Sequence, residues 1–183
     1  MCGIGGAWSN KEVDEKLFNQ AIQTLDHRGP DSHGIWGTQD KKFRLGHTRL
    51  AIIDLEPSGY QPMQSNSGRY VISFNGEIYN YQSLKKELLT IDSSIKFSGA
   101  SDTEILLHVI EHFGVKEGIK KLKGMFAAGL WDKKEENLYL FRDRVGEKPL
   151  YFGFINSVLY FASELKFFNS MEASLPLSRK GVN

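Results

Sequence analysis

Cys2, in the opening Met1-Cys2-Gly3-Ile4-Gly5-Gly6, is the single cysteine of the chain, and it stands where a nucleophile can carry its own base. Once Met1 is removed, the thiol and a free α-amino group belong to one residue, so no second side chain has to be brought to the sulfur. An α-amino group has a reference pKa of about 7.7–8.0 and a thiol about 8.5, so proton transfer between them near neutral pH is nearly balanced. That pairing makes an activated nucleophile. A lone cysteine is also a common small hydrophobe, and residue 2 is often part of a frayed terminus. Position alone does not decide between these readings.

Three further segments carry matching chemistry: Gly46-His47-Thr48-Arg49-Leu50, Asn75-Gly76-Glu77-Ile78-Tyr79-Asn80 and Ser101-Asp102-Thr103-Glu104. A primary amide with an amino-acid head needs an anion site, a cation site and a pair of donors for the oxyanion. Arg49 has the fork geometry to grip a carboxylate, Asp102 can take an ammonium, and Asn75 with the Gly76 N–H can receive an oxyanion. Each has a structural alternative. Asn-Gly is a strong hairpin signal, Asp102 favours a helix N-terminus through the dipole, and Arg49 serves equally as a surface cation.

The elements that must position these groups are legible as patterns. Gly3 to Trp8 reads as a buried terminal strand whose glycines allow close backbone approach. Val13, Leu17, Ala21 and Leu25 mark one helix face. Strands are expected at Phe43–His47, Leu50–Ile53 and Arg69–Phe74. Helices follow at Tyr81–Leu89 and Ser101–Phe113, the second opened by a capping box, Ser101-Asp102-Thr103-Glu104. Strands return at Met125–Trp131, Leu138–Arg142, Leu150–Ile155 and Val158–Ala162, the last two as a hairpin about Asn156-Ser157. This order suggests layered α and β elements with largely antiparallel sheets. Residues 171–183 read as a linker or a cut-off end.

Length and charge narrow the function classes. A chain of 183 residues suits one well-buried domain. Twenty-three Lys and Arg against 22 Asp and Glu give a net charge of +1, which offers no footprint for nucleic acid or an anionic membrane. No apolar run approaches the roughly 20 residues that span a bilayer, and no secretory signal opens the chain. A free thiol persists most readily in a reducing compartment, so the expected location is cytoplasmic.

Taken in order, Cys2-Gly3-Ile4, His27-Arg28-Gly29-Pro30-Asp31, Leu45 to Asp54, Asn75 to Asn80, Ser101 to Glu104 and Arg142-Asp143-Arg144 with Lys148-Pro149-Leu150-Tyr151 resemble the class II glutamine amidotransferases. The branch they resemble is the glutaminase domain of glutamine-hydrolysing asparagine synthetase. The resemblance implies an α+β fold, the N-terminal-nucleophile hydrolase four-layer αββα sandwich with two largely antiparallel sheets, over residues 1–170. It implies that Cys2 attacks the side-chain amide of L-glutamine, with Asn75 and Gly76 holding the oxyanion. Arg49 would bind the substrate α-carboxylate, with Leu50, Ile52 and Ile53 lining that side. Glu77 would help hold the head group, Asp102 would receive the α-ammonium, and the loop His27 to Pro30 would fold over the substrate. It implies no cofactor or metal in this domain. ATP and Mg2+ are expected only in an ATP-dependent synthetase domain or subunit that uses the ammonia, whose Ser-Gly-Gly-x-Asp-Ser phosphate loop is absent from these residues.

Two rivals remain at this level. One is the glutaminase domain of a sugar-phosphate or purine amidotransferase, against which Leu50 to Asp54 and Lys148 to Tyr151 speak. The other is a non-catalytic module that binds an amino acid or docks a partner, which predicts no loss of function when Cys2 is replaced. His108 and His112, four apart on a helix, do not match the His-Glu-x-x-His of a metalloprotease and have no evident third ligand, so an ordinary helix surface is the reading there.

Overall fold

The computed structural model describes residues 1–51 and 57–171. Nine strands and five helices run in the order β1 (Gly3–Trp8), α1 (Glu15–Gln23), β2 (Ser32–Gly37), β3 (Phe43–Arg49), β4 (Met63–Gln64), β5 (Tyr70–Ile78), α2 (Tyr81–Ile91), α3 (Asp102–Phe113), α4 (Val115–Lys120), β6 (Gly124–Asp132), β7 (Asn137–Arg142), β8 (Tyr151–Ile155), β9 (Val158–Ala162) and α5 (Leu165–Ser170) among these residues. They form two sheets, β2-β3-β1-β9-β8 and β4-β5-β6-β7, antiparallel at every strand pair. Helices α1 and α5 cover the first sheet through Phe18, Ala21, Ile22 and Phe167. Helices α2 and α3 cover the second through Leu84, Leu88, Ile105 and Val109. The result is the expected αββα sandwich.

Between the sheets lie Phe43, Leu45, Val71, Trp131 and Phe161, with Phe43 and Trp131 stacked at 4.4 Å between ring centroids. Each such side chain contributes roughly 1.5–3 kcal/mol on burial. One glycine of β1 is explained here: a Cβ on Gly6 would stand 2.2 Å from the Phe161 ring, so only glycine lets the inner layer close. Two polar rungs also cross the layer. Ser73 Oγ donates to Gly46 O at 2.9 Å, and His47 Nε2 donates to Phe74 O at 3.0 Å.

Several expectations shift on the structure. The strand read over Leu50–Ile53 does not begin there: β3 ends at Arg49, Leu50 and Ala51 lie outside any strand, and Ile52 and Ile53 lie outside the described residues. Asn75-Gly76 is no hairpin turn. It lies inside β5, opposite Ala127 and Phe126 of a strand some fifty residues on, and a Cβ on Gly76 would meet Met125 O at 2.2 Å. Close backbone approach, not a turn, accounts for that glycine.

The capping box on α3 is only half formed. Ser101 Oγ accepts from Thr103 N at 3.1 Å, while Glu104 reaches past the cap to Ser98 N and Gly99 N at 2.6 and 3.0 Å. On α1 the burial falls on Phe18, Ala21 and Ile22, with Leu17 half-buried. His108 is not on a helix surface: it is buried, edge-on to Phe97. The hairpin about Asn156-Ser157 joins β8 to β9, both turn residues having positive φ, as a two-residue primed turn requires.

Candidate active site

The thiol is placed by the start of β1. Gly3 N donates to Thr48 Oγ1 at 3.1 Å and Ile4 N to Ser163 Oγ at 3.0 Å, which pins the residues just after Cys2 between β3 and β9. Arg28 Nε donates to Cys2 O at 3.0 Å, and Arg28 Nη1 pairs with Glu164 at 3.0 Å. Burial raises the Glu164 pKa, but hydrogen bonds from Arg28, His27 and Lys166 outweigh it and hold the carboxyl at about 2. The His27–Pro30 segment is therefore fastened to the nucleophile's own backbone. A 3-10 turn, Asp26–Arg28, leads into it, and just after it Asp31 N bonds to Arg49 O at 3.0 Å. Sequence reasoning gave this segment a covering role and missed Arg28 as the clamp on Cys2.

Cys2 Sγ lies 3.4 Å from the Leu50 N–H that donates to it. Burial pushes the thiol pKa up, while the Leu50 N–H and the positive charges of the chain terminus, Arg49 and Arg28 pull it down. Burial wins, so the sulfur rests as a thiol and needs a base to ionise it.

Sulfur faces a cleft of about 160 Å³. Cys2, Arg49, Leu50, Asn75, Gly76, Glu77 and Asp102 all line it. Every described residue given a catalytic or substrate-binding role from the sequence is thus brought to one place by four separate segments, whereas none of His27–Pro30, expected to fold over the substrate, lines the cleft. Ile52 and Ile53 lie outside the described residues. Gln61, Phe74, Thr103, Met125 and Lys148 also line the cleft and were given no role from sequence. Thr103 and Lys148 lie inside the quoted segments without a role of their own, while Phe74 and Met125 reach the cleft only through strand pairing.

The second wall is the open edge of β5. Successive strand residues turn their N–H and C=O groups to opposite sides. Arg69 O and Tyr79 N bond towards β6, so the even-numbered residues face the other way. There Ser65 N meets Tyr70 O at 2.9 Å, Phe74 N meets Gln61 Oε1 at 2.6 Å, and Ile78 N meets Asp102 Oδ2 at 2.8 Å. Gly76 N–H points to this side as well, where β4 has ended. Beside it the Asn75 side chain is 1% exposed, and its Nδ2 is buried with no hydrogen-bond partner. A buried donor left unmade costs about 1–3 kcal/mol, which is the signature of a group awaiting an acceptor.

The head-group end is polar. Arg49, the last residue of β3, is buried, with its guanidinium over the Tyr60 ring at 5.1 Å. Asp102 opens α3. Burial raises its carboxyl pKa, Glu77 adds to the rise, and the Ile78 N–H and the Thr103 groups oppose it. A cation, a carboxylate and a donor pair lining one cleft match an α-amino acid with a side-chain acyl group.

Met1 precedes Cys2 here and lines the same cleft, with its Sδ 3.2 Å from Lys148 Nζ. In this form the Cys2 nitrogen is a peptide amide and has no basic lone pair. No group of three or more His, Cys, Asp or Glu arranged to hold a metal occurs among the described residues. No helix among them is long and apolar enough to cross a membrane.

Comparison with known proteins points the same way. The Glutamine amidotransferase domain model matches residues 1–183. Glutamine-hydrolyzing asparagine synthetase 1 of Bacillus subtilis (strain 168) is 43% identical over 171 residues, covering 91% of this chain and 26% of its own length. A putative glutamine-hydrolyzing asparagine synthetase 2 of Methanocaldococcus jannaschii is 36% identical over 183 residues, covering 91% of this chain and 34% of its own. The chain thus spans only about a quarter to a third of these relatives. Among solved structures, the glutamine phosphoribosylpyrophosphate amidotransferase of B. subtilis, complexed with ADP and GMP, superposes with a TM-score of 0.79 at 24% identity, over 94% of this chain and 44% of that one. That likeness is one of fold, the four-layer αββα sandwich.

Proposed function

This chain belongs to the glutamine amidotransferase domain family, and we propose that it hydrolyses the side-chain amide of L-glutamine to glutamate and ammonia through a thioester on Cys2. After Met1 is removed, the Cys2 amine takes the thiol proton and sulfur attacks the amide carbon. The oxyanion that forms is received by Asn75 Nδ2 and the Gly76 N–H. The C–N bond then breaks, the proton passes to the leaving nitrogen, and ammonia departs. Water, activated by the same amine, adds to the thioester and releases glutamate with the thiol restored.

Arg49 holds the substrate carboxylate and Asp102 its ammonium, with Glu77 and Leu50 at the rim, and Ile52 and Ile53 are assigned to the same side. The observation that carries this reading is the buried, unpartnered Asn75 Nδ2 beside Cys2. A module that only docked a partner would gain nothing from a buried donor held unsatisfied. The test is Asn75→Ala: losing one oxyanion donor lowers turnover by about 10²–10³, with KM for glutamine little changed and melting temperature maintained. Near wild-type glutamate release would overturn the assignment.

The ammonia goes, in this proposal, to an ATP-dependent synthetase domain or subunit of the kind named in the relatives. That partner would bind ATP and Mg2+ and amidate a carboxylate, while residues 1–170 need no cofactor. Met171, read from the sequence as the first residue of a linker, is instead buried with Phe167 and Phe168, residues 172–183 lie outside the described residues, and the whole works in the cytosol, where a lone thiol stays reduced.

A further inference from the structure

The residue before Asn75 is held on both sides by side chains from outside its own sheet ladder. In the β4–β5 register, Met63 faces Ile72 and Gln64 faces Val71, so Gln61 falls opposite Phe74. β4 begins only at Met63, so no backbone group of that strand reaches Phe74. Gln61 instead lends its side chain, whose Oε1 accepts from Phe74 N at 2.6 Å. Its Nε2 lies 3.5 Å from Thr103 Oγ1, next to Asp102. The Phe74 carbonyl is taken from the other sheet by His47 Nε2 at 3.0 Å.

A carbonyl only accepts, so His47 must carry its proton on Nε2. Its Nδ1 is buried without a partner. Burial, the main cause, and the Arg49 charge push the imidazole pKa down to about 4, which keeps the ring neutral and the donor in place throughout the physiological range. His47 is fully buried and does not line the cleft, so it acts on the reaction only through Phe74.

We propose that His47 and Gln61 are positioning residues for the oxyanion site, fixing the Phe74 backbone so that Asn75 Nδ2 and the Gly76 N–H stay aimed at one point in the cleft. The inference rests on the glutaminase reading above. The peptide joining Phe74 to Asn75 is the one whose carbonyl His47 holds. Releasing it removes one of the two holds on that peptide and leaves only the β5–β6 ladder, where Asn75 stands opposite Ala127, whereas Arg49 on β3 and Asp102 on α3 keep their own backbone supports.

The test is steady-state glutaminase kinetics of the chain lacking Met1, with His47→Leu, His47→Gln and Gln61→Met. A misplacement of about 1 Å at a reacting centre can cost on the order of 10² in rate. His47→Leu is expected to lower kcat by about 10- to 100-fold with KM within about twofold of wild type. Glutamine's Nε2 can stand where the imidazole Nε2 stands, so His47→Gln is expected to recover most of the lost kcat. Should His47→Leu fail to fold, Gln61→Met is read for the same kcat-selective loss. Unchanged kcat, a rise in KM with kcat unaltered, or equal damage from Leu and Gln at position 47 would each overturn the proposal. Absence of glutaminase activity in the unmutated chain would instead overturn the glutaminase reading itself.

Discussion

Asp102 and Asp143 are each 5% exposed as whole residues, but the Asp102 carboxyl lies far deeper in the protein, and the two groups sit on opposite sides of the ordinary pKa. Asp143, in the turn after β7, accepts four backbone N–H groups: Phe126 and Lys148 on one oxygen at 3.2 and 3.0 Å, Val145 and Glu147 on the other at 3.2 and 2.9 Å. Burial raises its pKa, but those donors outweigh the rise and hold it at about 2. Asp102 has one short donor, Ile78 N at 2.8 Å, and a long contact from Thr103 Oγ1 at 3.4 Å. Burial prevails there and the pKa rises. An ionised carboxylate offers about four acceptor sites. Asp143 spends them on the fold, while Asp102 keeps part of its capacity facing the cleft, at a cost in stability that a ligand ammonium would offset.

The largest effect expected from this contrast is on Asp143. Asp143→Ala strands four donors and should cost on the order of 3–5 kcal/mol, a fall of about 10 °C or more in melting temperature, visible in a thermal melt. Asp102→Asn keeps an oxygen for Ile78 N but loses the charge. It should raise KM for glutamine by about 30-fold, the equivalent of roughly 2 kcal/mol for a broken buried ion contact, while the melting temperature stays level or rises. A melting temperature that fell as far as in Asp143→Ala would erase the distinction between the two carboxylates.

The smallest effect is in the pH dependence. Asp143 and Glu164 have depressed pKa values, so their stabilisation is present above the unfolded carboxyl values of about 4 and is lost as pH falls towards 2. Asp102 has the opposite sign: its burial penalty is absent below about pH 4 and present above its raised folded pKa. The melting-temperature advantage of Asp102→Asn over wild type should therefore appear at neutral pH and vanish below about pH 4. Melts across that range check it.

Asp102 and Asp143 also mark what the sequence can and cannot disclose. Asp102 was legible because a carboxylate at the mouth of a capped helix, in one ordered set with Cys2, Arg49 and Asn75-Gly76, is a local pattern. Asn75-Gly76 taken alone reads as a turn, because the dipeptide favours positive φ. Only the pairing of β5 with β6 reveals a strand whose glycine makes room for Met125 O. Strands β2 and β4 left little trace, one carrying two glycines in a half-buried run and the other being two residues long. Arg28, Gln61 and His47 were opaque for a different reason: each acts on a backbone group at least 13 positions away. Long-range register, not residue type, gives them work.

The central claim is that Cys2 is a nucleophile whose own amine is its base, and intact mass after treatment with a diazo-ketone analogue of glutamine tests it most directly. The chain that has lost Met1 should gain one adduct, mapped to Cys2, and its Asn75→Ala form should gain it far more slowly. A chain that retains Met1 should stay unmodified. Equal labelling with and without Met1, or an adduct anywhere but Cys2, would contradict the account.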